Sequence, residues 1–151
     1  MKSSKKKLYT RTATPADAEA ISALSGKVYK DAPYSTAHIR GQINNYSEGV
    51  LVAIFDEKIV GYCATIRVEE SAALKKHTWR QITGNGYGST HRANGEWLYG
   101  YEVFVDPDYR RLRIGDRLYK ERRNLCIHYR LKGIIIVGRL PYLTRRRKKV
   151  S

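Results

Sequence analysis

Residues 98–119 constrain the fold of this chain more than any other stretch. The apolar run 98–105 predicts a strand, and residues 106–108 predict a turn after it. An arginine-rich loop follows, closes at Gly115 and continues into an amphipathic helix. The first turn of such a helix has backbone N–H groups without intrahelical partners, and the helix dipole adds partial positive charge there. A strand that leads through a short basic loop into a helix therefore predicts an anion site of the polyphosphate type.

Length and composition favour one soluble globular domain. A chain of 151 residues with 42% hydrophobic content is large enough to bury a core. No apolar run approaches the length of a membrane span, and no apolar signal-peptide segment follows the lysines at the start. We therefore predict a cytoplasmic protein. Cys63 and Cys126 lack metal-type spacing to any histidine, so we predict reduced structural thiols and no metal site.

The net charge of +15 is concentrated in three places. Residues 1–7 contribute four lysines, and residues 145–149 contribute five basic residues. Residues 110–132 contain nine Lys or Arg against two acids, which leaves the rest of residues 8–144 nearly neutral. We predict a disordered basic tail at 1–7, one domain at 8–144 and a second basic tail at 145–151. A phosphate ligand at the helix start would explain the central basic segment, and a solvated basic helix face is the alternative.

The first half of the chain predicts helices and strands in alternation. A strand at 8–12 precedes a helix that runs to about residue 29, and a second, shorter helix covers about 36–46. The expected core stripe of the first helix consists of Ala20, Ile21, Leu24 and Val28. Residues 50–55 and 59–69, joined by a turn at 56–58, predict a two-stranded hairpin.

Residues 74–96 interrupt this alternation and predict a long loop, which in a compact domain is either functional or disordered. Its glycines, Gly84, Gly86 and Gly88, superficially resemble a dinucleotide-binding loop. No strand leads into them and no amphipathic helix follows, so we reject that interpretation.

The helix after the arginine loop is expected to bury one apolar face and to expose its arginines on the other. The predicted apolar face consists of Ile114, Leu118, Leu125 and Tyr129, and the helix is expected to end near Gly133. Residues 134–137 are β-branched and apolar, which is typical of a strand buried on both faces. The strand at 98–105, this helix and the strand at 134–137 would form a right-handed unit with two parallel strands.

The basic loop resembles the acyl-CoA motif of GNAT-family N-acetyltransferases. That motif is Arg or Gln, two residues, Gly, one residue, then Gly or Ala, between a strand and a helix. Arg110 takes its first position, Arg113 stands at the first glycine position, and Gly115 takes the last. An arginine fits there if the backbone does not need a positive φ. The resemblance implies an α/β (α+β) GNAT fold, a mixed sheet with helices on both faces.

The flanking sequences narrow the resemblance to the acetyltransferase domain fused ahead of a nitrilase-type carbon–nitrogen hydrolase. The matching residues are 77–79, 101–110 and 138–141. This resemblance implies a hydrolase domain as a partner, C-terminal or separate. A GNAT domain continues after the strand at 134–137 with another helix and two strands. We therefore expect a C-terminally truncated chain that lacks part of the acceptor side.

The family mechanism implies direct attack of an unidentified amine on the thioester of acetyl-CoA. A protonated amine needs a base, and Glu102 is our candidate because it is the only acid on its strand. An ion pair between Glu102 and an arginine is the alternative. A main-chain N–H near Phe104 would polarise the thioester carbonyl. The implied CoA-binding residues are Val103, Phe104 and Val105 for the pantetheine arm, and Arg110, Arg111, Leu112, Arg113, Ile114, Gly115 and Asp116 for the pyrophosphate.

Four aromatic residues are candidates for the acceptor cleft. Tyr99 and Tyr101 lie on the strand beside the expected thioester, although strand tyrosines commonly pack into a core. His77 and Trp79 belong to the long loop, where Trp79 has the alternative role of anchoring that loop to the body.

Two other functions compete with acetyl transfer. A CoA-binding but catalytically impaired fragment would keep the cofactor half and lose the acceptor half. A nucleic-acid or ribosome-binding module would use the basic tails, and its binding would weaken steeply with salt. No RNA- or DNA-binding motif is recognisable, so we expect nucleic acid to bind only through those tails.

Overall fold

The computed structural model describes residues 7–137 of the chain. In this part, one five-stranded sheet has the strand order β1-β2-β3-β4-β5. The strands are β1 (Leu8–Thr12), β2 (Leu51–Phe55), β3 (Lys58–Val68), β4 (Trp97–Val105) and β5 (Gly133–Ile136). The first four strands pair antiparallel, and β5 pairs parallel with β4. The predicted α/β class with a mixed sheet is confirmed.

Five α-helices connect the strands within the described range. They are α1 (Ala18–Val28), α2 (Thr36–Asn45), α3 (Glu70–Leu74), α4 (Trp79–Thr83) and α5 (Ile114–His128). Short 3-10 turns at Pro15–Asp17 and Pro107–Leu112 lead into α1 and α5. The unit β4, α5, β5 contains the two parallel strands that the sequence predicted.

Helices cover both faces of the sheet, as predicted. Successive residues of β2 point to opposite faces, so Val52 and Ile54 join the layer of α1 and α2, and Leu51 and Ala53 join the layer of α5. On the face covered by α5, this helix packs very close to β3 at Gly61. A Cβ at Gly61 would lie 2.5 Å from Ile114 Cγ2. Glycine therefore lets α5 sit directly against β3.

The hairpin of β2 and β3 is confirmed, with Phe55 paired to Lys58. Its two central residues, Asp56 and Glu57, have φ angles of 54° and 64°. Positive φ at both positions is the signature of a type I′ turn, whose twist matches that of paired strands.

The predicted core faces of two helices were partly wrong. In α1, Ala20 is exposed and Ala18 is buried instead. In α5 the buried residues are Ile114, Leu118, Arg122 and Cys126, so one arginine lies on the core face. Helical spacing assigns Arg122 to that face, four residues after Leu118, and its polar groups find partners in the sheet. The helix also ends at His128, five residues before the predicted end.

The long segment 74–96 is not a featureless loop. It contains α4 and begins as α3 ends. Thr78 and Gln81 form a capping box at the start of α4, with the Thr78 hydroxyl accepting from the Gln81 N–H at 3.1 Å. Gly84, at φ 65°, ends the helix in the left-handed conformation. The capping-box spacing was the sequence signal for this helix, and periodicity over five residues was too short to reveal it.

Strand β5 is less buried than its sequence predicts. Ile134 and Ile135 are half-buried, and Ile136 is 42% exposed among the described residues. The expectations for residues 1–6, for 138–141 and for the basic tail 145–151 lie outside the described residues. The expected truncation and the domain limits stay predictions.

In the described part of the chain, no helix is both long and apolar enough to cross a membrane.

Candidate active site

A bulge in β4 lies at the centre of the candidate site. Glu102 pairs with Ala64 and Gly100 pairs with Thr65, so Tyr101 is an extra residue without a partner on β3. On its other side, β4 pairs with β5 from Trp97 to Gly100. From Tyr101 to Val105, β4 therefore continues beyond its described pairing with β5. Such a strand edge can hydrogen-bond an extended ligand chain.

The direction of the β4 amides follows from the ladder to β3. The Asp106 N–H donates to the Val60 carbonyl at 2.8 Å. Because antiparallel pairing alternates, Phe104 directs its N–H toward β3, and Val103 and Val105 direct theirs to the opposite side. The N–H groups of Val103 and Val105, on either side of Phe104, are therefore the donors that point away from β3. In the structure the Val103 N–H donates to Glu102 Oε1 at 3.0 Å.

The start of α5 supplies further donors. The first intrahelical bond runs from the Arg117 N–H to the Arg113 carbonyl at 3.2 Å. The N–H groups of Ile114, Gly115 and Asp116 precede it and have no intrahelical acceptor. A Cβ at Gly115 would meet no described atom within 4 Å. The helix start thus combines donors, partial positive charge and open room, which fits a pyrophosphate.

The predicted CoA-binding side chains fall into two groups. Phe104 is a core residue, with its ring centroid 5.1 Å from that of Tyr62, and Ile114 is also buried. Leu112 is half-buried beneath the loop and packs against the α5 core. The basic residues surround the start of α5 and are exposed: Arg110, Arg111, Arg113 and Arg117. Cations at this place strengthen the attraction of the helix start for an anion.

Glu102 is fully buried between the sheet and the first two helices. The Tyr29 hydroxyl donates to its Oε1 at 2.7 Å, and the Tyr34 hydroxyl donates to its Oε2 at 2.5 Å. The alternative interpretation expected an ion pair between Glu102 and an arginine. The structure does bring an arginine to Glu102, but Arg122 Nη2 donates to the main-chain oxygen of Glu102, at 2.6 Å. The two hydroxyls offer a route by which this buried carboxylate could exchange protons with a substrate.

A cleft of about 470 Å³ lies between the α1–α2 connection and α4. Tyr34 belongs to its lining and so connects the cleft to Glu102. Trp79 also lines it and donates from Nε1 to the Tyr101 carbonyl at 3.0 Å, which ties α4 to the bulge. Trp79 therefore anchors this segment to the body, as the alternative interpretation expected, and its role toward an acceptor stays a prediction. The full lining is Ala32, Pro33, Tyr34, His38, Trp79, Arg80 and Asn85.

The other aromatic candidates do not belong to the lining of this cleft. Tyr99 and Tyr101 are buried, and His77 Nε2 lies 2.8 Å from the Tyr99 hydroxyl. Burial raises the pKa of Tyr99 to about 12 and the pKa of Tyr101 further. Burial therefore keeps both hydroxyls protonated near neutral pH. Within residues 7–137, no three His, Cys, Asp or Glu residues come together in a metal-binding arrangement.

The sequence profile described as "Acetyltransferase (GNAT) family" matches residues 18–139, most of the chain. This chain belongs to the acetyltransferase (GNAT) family. The match covers the bulged strand, the basic loop and the start of α5, so the resemblance found in the sequence is confirmed.

Two Bacillus subtilis (strain 168) proteins are similar to this GNAT chain. The "Probable hydrolase YhcX" is 38% identical over 109 residues, which cover 72% of this chain and 21% of that protein. The "Uncharacterized N-acetyltransferase YkwB" is 28% identical over 149 residues, covering 95% of this chain and 66% of the relative. The chain therefore spans about a fifth of YhcX and about two thirds of YkwB. A fused or separate hydrolase partner stays a prediction.

A solved structure supports the fold. A GNAT-family acetyltransferase from Brucella melitensis, in complex with acetyl-CoA, superposes with a TM-score of 0.57 at 19% identity. The alignment covers 95% of this chain and 84% of that protein. At this identity the likeness shows a shared fold.

The sequence has Arg113 where the GNAT motif has its first glycine. We expected an arginine to fit there if the backbone did not need a positive φ, and the structure shows that this condition is not met. Arg113 has φ 58° and ψ 42°, the left-handed conformation that favours glycine. Holding a side chain there costs about 1–2 kcal/mol. Its only described ion pair, Nε to Asp116 Oδ2 at 3.2 Å, is exposed and offsets little of this cost.

An ion cluster fixes the beginning of the same loop. Lys27 Nζ, at the end of α1, lies 2.8 Å from both Asp106 Oδ1 and Asp108 Oδ2. Burial alone would raise the pKa of Asp106, but the hydrogen bonds from Lys27 and from the Asp108 N–H outweigh it and lower that pKa. The ionised carboxylate therefore anchors the loop to α1 at neutral pH.

We expect Arg113→Gly to raise the free energy of unfolding by about 1 kcal/mol relative to Arg113→Ala, because glycine adopts the left-handed conformation without steric cost. Urea unfolding of the two variants measures the difference. The alanine variant is the matched control, since it also loses the contact with Asp116. Equal stability of the two variants would contradict the strain that we assign to this position.

Proposed function

We propose that this chain transfers the acetyl group of acetyl-CoA to an amine by direct attack on the thioester. One observation carries the proposal: the open edge of β4 after the bulge lies in the same strand–loop–helix unit as the unpaired amides at the start of α5. A ligand with an extended arm that ends in a pyrophosphate would match this combination, with the arm along the edge of β4 and the pyrophosphate at the start of α5. Membership of the family, and the acetyl-CoA complex of the Brucella relative, support the choice of donor.

The donor would bind along β4 and across the helix start. The amide groups of the pantetheine arm would pair with the main chain of Val103 and Val105, as an added strand does. The pyrophosphate would accept from the N–H groups of Ile114, Gly115 and Asp116. Arg110, Arg111 and Arg113 would add charge around it, and Leu112 would hold the loop against the core.

Proton removal would pass through Tyr34. As the amine approaches, its proton moves to the Tyr34 oxygen while the Tyr34 proton moves to Glu102 Oε2. The amine nitrogen then bonds to the thioester carbon and the C–S bond breaks. The second proton that the nitrogen loses as the amide forms passes to the departing sulfur, so CoA leaves as the thiol. Protonation of Glu102 would also weaken its hold on the Val103 N–H, because a neutral carboxyl is a poorer acceptor. That N–H is then available to the developing oxyanion.

The cleft beside Tyr34 favours an acceptor that carries a carboxylate as well as its amine. Arg80 and His38 belong to the lining, and none of the lining residues is acidic. A polyamine would bring its remaining positive charges toward Arg80 without a partner. An amine of the amino-acid type would place its carboxylate on Arg80 and its amine toward Tyr34.

The catalytically impaired fragment and the nucleic-acid module stay alternatives. The second depends on the basic tails, which lie outside residues 7–137. The cytoplasmic location is likewise still a prediction.

Acetyl-CoA should raise the thermal midpoint of the chain by about 5–10 °C at roughly one hundred times its Kd. Replacing Arg111 and Arg113 by Glu should remove most of that rise, because two repulsive charges would then face the pyrophosphate. The matched control reverses Lys120 and Arg123, two exposed basic residues further along α5. The loop assignment fails if the control variant loses the rise to the same extent.

Tyr34→Phe and Glu102→Gln should each lower kcat by about 100-fold or more, in the range of lost acid–base catalysis. The acetyl-CoA affinity should change little, because neither side chain touches the donor. Tyr29→Phe is the control, since it removes the other hydroxyl on Glu102 and leaves the route through Tyr34. A kcat for Tyr34→Phe equal to that of Tyr29→Phe would remove Tyr34 from the proton path.

Among matched acceptors, lysine should be acetylated more efficiently than cadaverine, which lacks only the carboxylate. We expect a difference of about 10- to 100-fold in kcat/KM, the size of a charge-assisted hydrogen bond. Arg80→Gln should abolish this preference, whereas Arg92→Gln, at an exposed arginine outside the cleft, should keep it. Release of CoA measures both reactions. Equal rates on the two amines in the wild type would exclude the carboxylate site.

A further inference from the structure

Arg122 is a buried cation that the proposed reaction does not yet use. It projects from α5 into the sheet and is 2% exposed. Its Nε donates to Thr65 Oγ1 at 2.9 Å, and its Nη2 donates to the carbonyls of Ala64 at 2.9 Å and Glu102 at 2.6 Å. The guanidinium therefore joins β3 and β4 at the bulge.

The sheet is built to admit this side chain. Gly100 lies across from it on β4, and a Cβ at Gly100 would come within 2.8 Å of Arg122 Cζ. Among the described residues, the hydrogen-bond partners of Arg122 are neutral oxygens. Burial of a cation is costly, and its hydrogen bonds to sheet oxygens that would otherwise be buried without a donor offset that cost. The same charge also acts electrostatically on the peptides whose carbonyls it binds.

The Glu102 carbonyl and the Val103 N–H belong to one peptide unit. In a trans peptide these two groups point in opposite directions, so Arg122 binds one end of the unit while the other end faces the open edge of β4. A cation that hydrogen-bonds the carbonyl withdraws electron density through the peptide. The N–H at the far end becomes a stronger donor, as in any polarised chain of hydrogen bonds.

We infer that Arg122 is a positioning residue, which polarises the Glu102–Val103 peptide and so strengthens the Val103 N–H as the donor to the thioester oxyanion. The inference rests on the proposed acetyl transfer, since it assigns a task to an amide of that site. Stabilisation of this kind acts only as negative charge develops on the oxygen, and therefore it raises kcat and leaves ground-state binding nearly unchanged.

The test compares Arg122→Met and Arg122→Lys with the wild type in the full chain. Arg122→Met should lower kcat about 10-fold, and Arg122→Lys, which keeps the charge, should lower it less. The KM for acetyl-CoA should stay within about twofold, because the charge on the thioester oxygen develops only in the transition state. The thermal shift that CoA produces should also stay within about twofold, because CoA has no thioester oxygen. Arg123→Met, at the exposed neighbour on the same helix, is the matched control and should behave as the wild type.

A second measurement tests the polarisation without turnover. The amide proton of Val103 in the ligand-free protein should shift upfield in Arg122→Met, because its hydrogen bond becomes weaker. The shift should be smaller in Arg122→Lys and absent in Arg123→Met. If Arg122→Met does not fold, the amide shift and kcat of Arg122→Lys decide the question.

The outcomes separate the inference from the proposed function. An unchanged kcat together with an unchanged Val103 shift overturns the role of Arg122. A parallel fall in kcat, donor affinity and stability also overturns it, since that pattern describes a purely structural residue. If the wild type transfers acetyl to no amine, the proposed function fails, and the Val103 shift still tests the polarisation directly.

Discussion

The bulge at Tyr101 is the feature on which the rest of the site depends. One extra residue in β4 interrupts its ladder with β3, and β4 parts from the described pairing with β5 just before it. Around this bulge the Arg122 guanidinium donates to the carbonyls of Ala64 and Glu102, and the Val103 N–H donates to Glu102 Oε1. A bulge interrupts the regular ladder in this way.

Two buried ionisable side chains act on the peptide that follows the bulge. Glu102 holds the Val103 N–H with its own carboxylate, and Arg122 holds the Glu102 carbonyl. The two tyrosines that bind Glu102 lie directly after α1 and in the α1–α2 connection. Residues from the first half of the chain therefore hydrogen-bond the carboxylate on β4. Under the proposed mechanism, proton uptake by Glu102 would release the amide that stabilises the oxyanion.

Local patterns in the sequence predicted the parts of the fold that local patterns govern. The hairpin and the strand–loop–helix unit follow from periodicity and turn residues, and the mixed sheet was implied by the resemblance to the GNAT family. Helical spacing places Arg122 on the core face, but periodicity could not show how its charge is satisfied there, because the carbonyls that bind it belong to strands distant in sequence. The left-handed backbone of Arg113 was equally hidden, since arginine is not the residue that such a conformation favours. The convergence of Tyr29 and Tyr34 on Glu102 spans about seventy residues and leaves no pattern in the sequence.

A crystal structure of the chain with CoA would test the central claim most directly. The account predicts that the pantetheine arm pairs with the main chain of Val103 and Val105, and that the pyrophosphate lies about 3 Å from the amide nitrogens of Ile114 and Gly115. It also predicts that the sulfur lies near the Val103 N–H. CoA bound along the exposed basic face of α5, away from the edge of β4, would contradict the account.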